Sequence, residues 1–286
     1  MSLVAAAIAL ALVASLIHAT WNVLVKVAGD PMAVFWRATV AAWVVITVPI
    51  LVAWLMLGRP GFSPAAAGLC AVSATIETIY LWLLANAYRR GELSVVYPIA
   101  RGSAPLLAVL AGLILIGERL APLQLAGVGI LLIGIVGVAL AQANGRATLP
   151  ALLTGVAIAA YTSVDRIAVR LTTPWLYGWL LITIITVELV LSVWLVHRLR
   201  PDWASRPSEL RGYAHTALIG LFMWGGYFIV LWALTLAPLA LVAPVRETSI
   251  VVVAVWGVWR LRERRGMALK LAGAVAALVG IALLAA

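Results

Sequence analysis

The sequence predicts an all-α integral membrane protein with ten transmembrane helices arranged as two inverted five-helix repeats. Three observations predict it. First, the 286 residues are 65% apolar and 10% charged, with a mean hydropathy of +1.12, whereas a soluble globular chain carries roughly 25% charged residues. Second, the apolar residues fall into runs near the roughly 20 that cross a hydrocarbon core. Third, the second half of the chain repeats the first at an almost constant offset.

Runs and breakers place the helices, in order, at 3–27, 32–57, 65–88, 93–116, 122–141, 150–170, 175–197, 213–236, 239–260 and 267–286. Gly29, Asp30 and Pro31 end the first; Gly58 to Gly61 end the second; Arg89 to Glu92 end the third. Gly117 to Arg119, Asn144 to Arg146 and Thr172 to Pro174 end the next three, and the polar stretch from His197 to Gly212 follows the seventh. Pro238 alone separates the eighth from the ninth, and Arg262 to Gly266 precede the tenth. Gly, Pro and clustered charge are the expected punctuation between spans. The first segment lacks a basic leader and is too long for a cleaved signal, so it reads as a retained helix. Cys70 is the single cysteine and allows no internal disulfide.

The net charge of +10 does not point to nucleic acid. The basic residues are spread over short gaps between apolar runs and form no basic, aromatic-studded domain. Loop Lys and Arg in a membrane protein face the cytoplasm and anionic lipid. Here they concentrate on the side opposite the termini, which favours both termini outside.

A shift of 146 residues lays Ala87 on Ala233, Leu93 on Leu239, Val96 on Val242 and Pro98 on Pro244. It also lays Leu125, Ala126 and Gly127 on Leu271, Ala272 and Gly273, and Gly134 on Gly280. A one-residue slip aligns Arg101 with Arg246 and Glu118 with Glu263. A shift of 140 lays Trp21 on Tyr161 and Lys26 on Arg166. The units are 1–143 and 144–286. Five is odd, so the second unit enters the membrane upside down, as in many secondary transporters.

The segment Gly117, Glu118, Arg119, Leu120, then Gln124, Gly127 and Gly134, resembles the signature closing each repeat of the EamA branch of the drug/metabolite transporter superfamily. Glu263, Arg264, Gly273 and Gly280 repeat it. The resemblance implies ten helices, transport of small metabolites, and a central cavity lined by the first, third, fourth, sixth, eighth and ninth helices. It also implies both termini in the cytoplasm, against the loop charge, and so leaves the orientation open. The first helix has no glutamate of the kind small multidrug relatives use; His18, Asn22 and Lys26 stand there instead.

Carried over by position, the cavity residues are His18, Trp21 and Asn22; Glu77 and Tyr80; Tyr97 and Arg101; Tyr161 and Asp165; Trp224 and Tyr227; Arg246 with Glu247 or Ser249. His18 and Asn22, Glu77 and Tyr80, Tyr97 and Arg101, and Tyr161 and Asp165 fall three or four residues apart and share a face. Ionisable residues inside a span are costly and default to function, although pairing between helices accounts for many of them. Glu188, Arg37 and Arg166 belong to the same set. Arg101 and Arg246, if they lack a fixed acid partner, favour a carboxylate- or phosphate-bearing substrate. Glu77, Asp165 or Glu247 is the expected proton carrier. Pro105 sits mid-helix and predicts a kink. Ala272, Ala276 and Gly280 form a small-residue stripe suited to close packing, within the fold or across a dimer. Glu118 and Glu263 read as fold markers that complement helix dipoles.

No metal motif, nucleotide loop or catalytic triad is present, so no cofactor and no enzyme activity are expected. The leading reading is a secondary transporter, an exporter or exchanger, working by alternating access in the bacterial inner or plasma membrane. Its expected partners are a small-molecule substrate, protons and membrane lipids, with the chain a monomer or homodimer. A flippase for lipid-linked substrates is the alternative, and a membrane-embedded lipid-modifying enzyme the third.

Overall fold

The computed structural model describes residues 2–90, 93–140, 148–199, 212–251 and 267–285. The described elements are helices: α1 (Leu3–Val27), α2 (Pro31–Met56), α3 (Pro64–Arg90), α4 (Leu93–Leu110), α5 (Pro122–Leu140), α6 (Thr148–Ala168), α7 (Pro174–Leu199), α8 (Gly212–Leu236), α9 (Leu239–Arg246) and α10 (Met267–Ala285). Seven are long and apolar enough to cross a membrane, while Ile99–Leu115 and Pro122–Gly137 are shorter apolar stretches. The exposed side chains include Val48, Ile114, Ile133 and Leu278, the apolar exterior that lipid requires.

The helix starts follow local chemistry. Ser2 accepts the Ala5 amide, Asp30 the Ala33 amide and Ser63 the Ala66 amide, each satisfying a donor that the first turn leaves open. Pro31, Pro64, Pro122 and Pro174 stand at first helical positions, where a missing N–H costs nothing. Gly29, Gly58 and Gly117 close turns with φ of 116°, 78° and 74°, a region that side chains avoid.

Two helices differ from the sequence reading. α4 is helical on both sides of Pro105, and it passes into a π turn over Ala111–Leu115 that the sequence reading did not foresee. The ninth helix, expected over 239–260, is interrupted after Arg246 by a turn at Glu247 and Thr248; residues 249–251 are helical again, and 252–260 lie outside the described residues. Adjacent side chains on a regular helix do not face each other, yet Arg246 and Glu247 are paired, so the break accompanies that contact. The Thr248 hydroxyl donates to the Val245 carbonyl at 2.7 Å and fixes the turn.

Packing follows a matched scheme. α1 packs on α8 and α3 on α6; α2 packs on α8 and α3 on α7; α2 meets α7, α4 meets α9 and α5 meets α10. Exchanging each of the first five helices for the one five later maps this set onto itself. Two of the like-with-like contacts are antiparallel. Trp43 donates to Thr183 and Trp179 to Thr47 between α2 and α7. Gly127 lies against Gly280, and Gly134 against Gly273, between α5 and α10. The small-residue stripe therefore works inside the fold, but on a shifted face: Gly273, Ala277 and Gly280 are buried toward α5, and Ala272 is exposed.

Glu118 crosses between the halves. Its carboxylate accepts the Leu239 and Ala240 amides at 2.8 and 2.9 Å, capping α9, and pairs with Arg166 at 2.8 Å. Arg166 also donates to the Leu234 carbonyl at the end of α8. The dipole reading of Glu118 thus applies to a different helix from the one that follows it in sequence. Glu118→Ala should cost about 1–2 kcal/mol from the lost cap alone. Glu118→Gln, which keeps an acceptor, should cost less. Thermal unfolding of the two variants checks this; equal losses would refute the capping role.

Candidate functional site

A cavity sits between α1, α3, α6 and α8. It is lined by His18, Trp21, Glu77, Tyr80, Leu81, Tyr161, Met223, Trp224 and Tyr227. In the matched scheme α1 corresponds to α6 and α3 to α8, so two equivalent pairs of helices form its walls. Its volume open to water is about 20 Å³, close to what one water molecule occupies.

The rings are fixed from behind. The Tyr227 hydroxyl donates to Asp165, the Trp224 indole donates to Thr39 at 3.2 Å, and Arg101 donates to the Tyr80 hydroxyl at 3.4 Å. Tyr161 stands between Tyr80 and Tyr227, with ring centroids 5.5 and 5.8 Å apart, and Trp21 meets His18 edge-on at 5.0 Å. With their polar tips engaged elsewhere, Tyr80, Tyr227 and Trp224 offer ring surface to the cavity.

Three lining residues leave buried polar atoms without a hydrogen-bond partner among the described residues: both ring nitrogens of His18, the Trp21 indole nitrogen and Glu77 Oε2. A buried polar atom without a partner costs on the order of 1–3 kcal/mol. Three such residues on one cavity mark a place built to meet something polar.

The remaining charges are arranged around this cavity. Glu247 lies between the two arginines: Arg101 donates to it at 3.0 and 3.2 Å, and Arg246 at 2.9 Å. The expectation of an anionic substrate assumed arginines with no fixed acid partner, and that premise fails. One atom of the triad, Arg246 Nη1, remains without a hydrogen-bond partner. Asp165 accepts hydrogen bonds from Ser73, Tyr177 and Tyr227, so three hydroxyls fill most of its roughly four acceptor sites.

Of the residues read from sequence, His18, Trp21, Glu77, Tyr80, Tyr161, Trp224 and Tyr227 line the cavity. Arg101, Asp165, Arg246 and Glu247 lie behind it as buried, bonded groups. Asn22 is buried, donates to the His18 carbonyl and accepts from Tyr88 at 2.7 Å, so it braces α1 against α3 outside the lining. The side chain of Tyr97 lies outside the described residues, as does that of Lys26. Glu188 accepts from Thr75 and Thr78 of α3 and ties α7 to it. Arg37 stacks on Trp36. The sequence reading missed Leu81 and Met223 on the wall, and Ser73, Tyr177 and Thr39 behind it. Ser73 sits four residues before Glu77 on α3, the one such signal within reach of a helical-face argument.

Comparison with known proteins fits this architecture. Residues 5–140 match the EamA-like transporter family, which belongs to the drug/metabolite transporter superfamily. This bears out the resemblance drawn from Gly117–Leu120. That match covers the first half of the chain, and seven helices long and apolar enough to cross a membrane make the protein a multi-pass membrane protein. A solved structure, described only as a crystal structure of a protein, superposes with a TM-score of 0.68 at 20% identity, covering 96% of this chain and 97% of the other; it shows a shared fold. No curated protein matches.

Proposed function

We propose that this EamA-type membrane protein is a secondary transporter, carrying small organic metabolites across the membrane by alternating access at the cavity between α1, α3, α6 and α8. The observation that carries this reading is the set of orphaned polar atoms on His18, Trp21 and Glu77, enclosed by helices from both halves. The matched packing and the antiparallel α2–α7 and α5–α10 pairs support two units, 1–143 and 144–286, of opposite orientation. Two such units can rock into two near-equivalent states, each open to one side.

The size of the cavity bears on the cycle. Organic ligands occupy sites of roughly 300–1,000 Å³, far above the volume found. The small volume supports reading this conformation as a closed state of the cycle, from which α1 and α3 part from α6 and α8 to admit a substrate. Glu77 is the acid facing the cavity, which makes it the leading proton carrier of the three considered.

Replacing Cys70 by Ala gives a background without cysteine. In it, Met223→Cys places a thiol on the cavity wall, where Met223 is now buried. A membrane-impermeant maleimide should label this thiol from either face, tested in right-side-out and inside-out vesicles. Labelling from one face alone contradicts alternating access.

A further inference from the structure

An open groove of about 530 Å³ runs along the last turns of α3, away from the central cavity. Its described lining includes Ile79, Trp82, Leu83, Asn86, Arg89 and Arg90, which recur at helical steps along one side of α3. Ile79 is 51% exposed on the apolar exterior, whereas Glu77 and Tyr80, which line the cavity, are buried on another side of the same helix. From Ile79 to Arg90 the helix rises about 16 Å, close to half of a roughly 30 Å hydrocarbon core. The groove therefore has the depth of one leaflet, apolar within and cationic at its mouth.

The mouth has room for one anion. Arg89 donates from Nε and Nη2 to Asp30 at 2.9 and 3.0 Å, so its charge is matched. Arg90 is exposed, and among the described residues its hydrogen bond is the one from Nε to Asn86 at 3.0 Å. That bond orients the guanidinium and leaves its two terminal nitrogens open, the fork that takes a phosphate through parallel hydrogen bonds. Two arginines against one aspartate leave one positive charge. Below them the Trp82 indole donates to Ser192 of α7 at 3.1 Å, which ties up its polar tip and leaves the ring as an apolar wall. Arginines in a last turn also complement the helix dipole, but the dipole gives no account of the groove beneath them.

We propose that this groove binds a phospholipid of net negative charge, with its phosphate against Arg90 and an acyl chain along Trp82, Leu83 and Ile79. The volume falls within the roughly 300–1,000 Å³ of organic ligand sites. By loop charge this is also the basic face of the chain, the face that attracts anionic lipid. No residue of the central cavity takes part, so the inference stands apart from the transport reading.

Thermal unfolding of the purified full-length protein in neutral detergent tests it with three probes: dioleoyl phosphatidylglycerol, dioleoyl phosphatidylcholine and glycerol 3-phosphate. The anionic lipid should raise Tm by about 3 °C at roughly ten times its Kd. The zwitterionic lipid should raise it distinctly less, and the soluble phosphate should not raise it. Arg90→Gln should remove the preference for the anionic lipid, and Leu83→Trp, which fills the groove, should remove the shift. Arg198→Gln is the control: this arginine lies over Trp194 near the end of α7, on the same face, and its loss should leave the preference intact. The proposal falls if the two lipids stabilise equally, if glycerol 3-phosphate reproduces the shift, or if Arg90→Gln or Leu83→Trp responds as the parent does. It falls equally if Arg198→Gln loses as much as Arg90→Gln, because the attraction is then diffuse. Should a variant fail to fold, the comparison of the three probes on the unaltered protein decides.

Discussion

Glu247→Gln should destabilise the protein by about 3–5 kcal/mol, the cost of breaking a buried ion pair by removing one partner. The carboxylate is 1% exposed and accepts from Arg101 Nη1 at 3.0 Å and Arg246 Nη2 at 2.8 Å. Without it, two buried guanidinium groups on α4 and α9 face each other with no anion between them. Glutamine keeps the shape and one acceptor oxygen, so the loss isolates the charge. A second variant separates this from simple crowding. Arg246→Met leaves Arg101 and Glu247 as a one-to-one pair and should cost distinctly less. Folded yield and thermal unfolding of the purified variants measure both. A Glu247→Gln protein as stable as the parent would show that the triad does not hold α4 to α9.

Gly280→Val should open the α5–α10 contact and cost more than the roughly 1–3 kcal/mol typical of an overpacked core. A Cβ at position 280 would lie 2.7 Å from the Gly127 carbonyl oxygen and 2.8 Å from Leu131 N and Cβ. Two of these atoms are backbone, so relief demands that the helices separate. Small residues are what let helices approach this closely where no hydrophobic force drives them together. Gly129, on α5, provides the control. A Cβ there meets nothing within 4 Å, and Gly129→Val should leave folding almost unchanged apart from helix propensity. Equal Tm values for the two valine variants would contradict the interface.

The helix plan was legible because its signals are local. A capping Asp30 before Pro31, a glycine at 117 and the run lengths between them each act within a few residues, and the bounds of α1, α5 and α8 fall within a residue of those expected. The cavity residues His18, Glu77 and Tyr227 were legible because an ionisable or aromatic residue in an apolar run is unusual on its own. What the sequence concealed was pairing. Arg101 and Glu247 are separated by 146 residues, and nothing near either one announces the other. Taking the arginines as unpartnered gave the wrong premise for substrate charge. The break after Arg246 had a local signal: Pro244 stands inside α9, and Val245, Thr248 and Ser249 around the turn are weak helix formers.

Glu118 also bears on how the molecule is made. Its carboxylate is synthesised 121 and 122 residues before the amides it caps. At about 5–20 residues per second, roughly 6–24 s separate the acid from its donors. A nascent chain that ends after α5 carries this glutamate with neither Leu239, Ala240 nor Arg166 to receive it. The first half is thus left chemically unfinished until ribosomes deliver the second, and a truncated product bears the kind of defect by which cellular proteases select their targets.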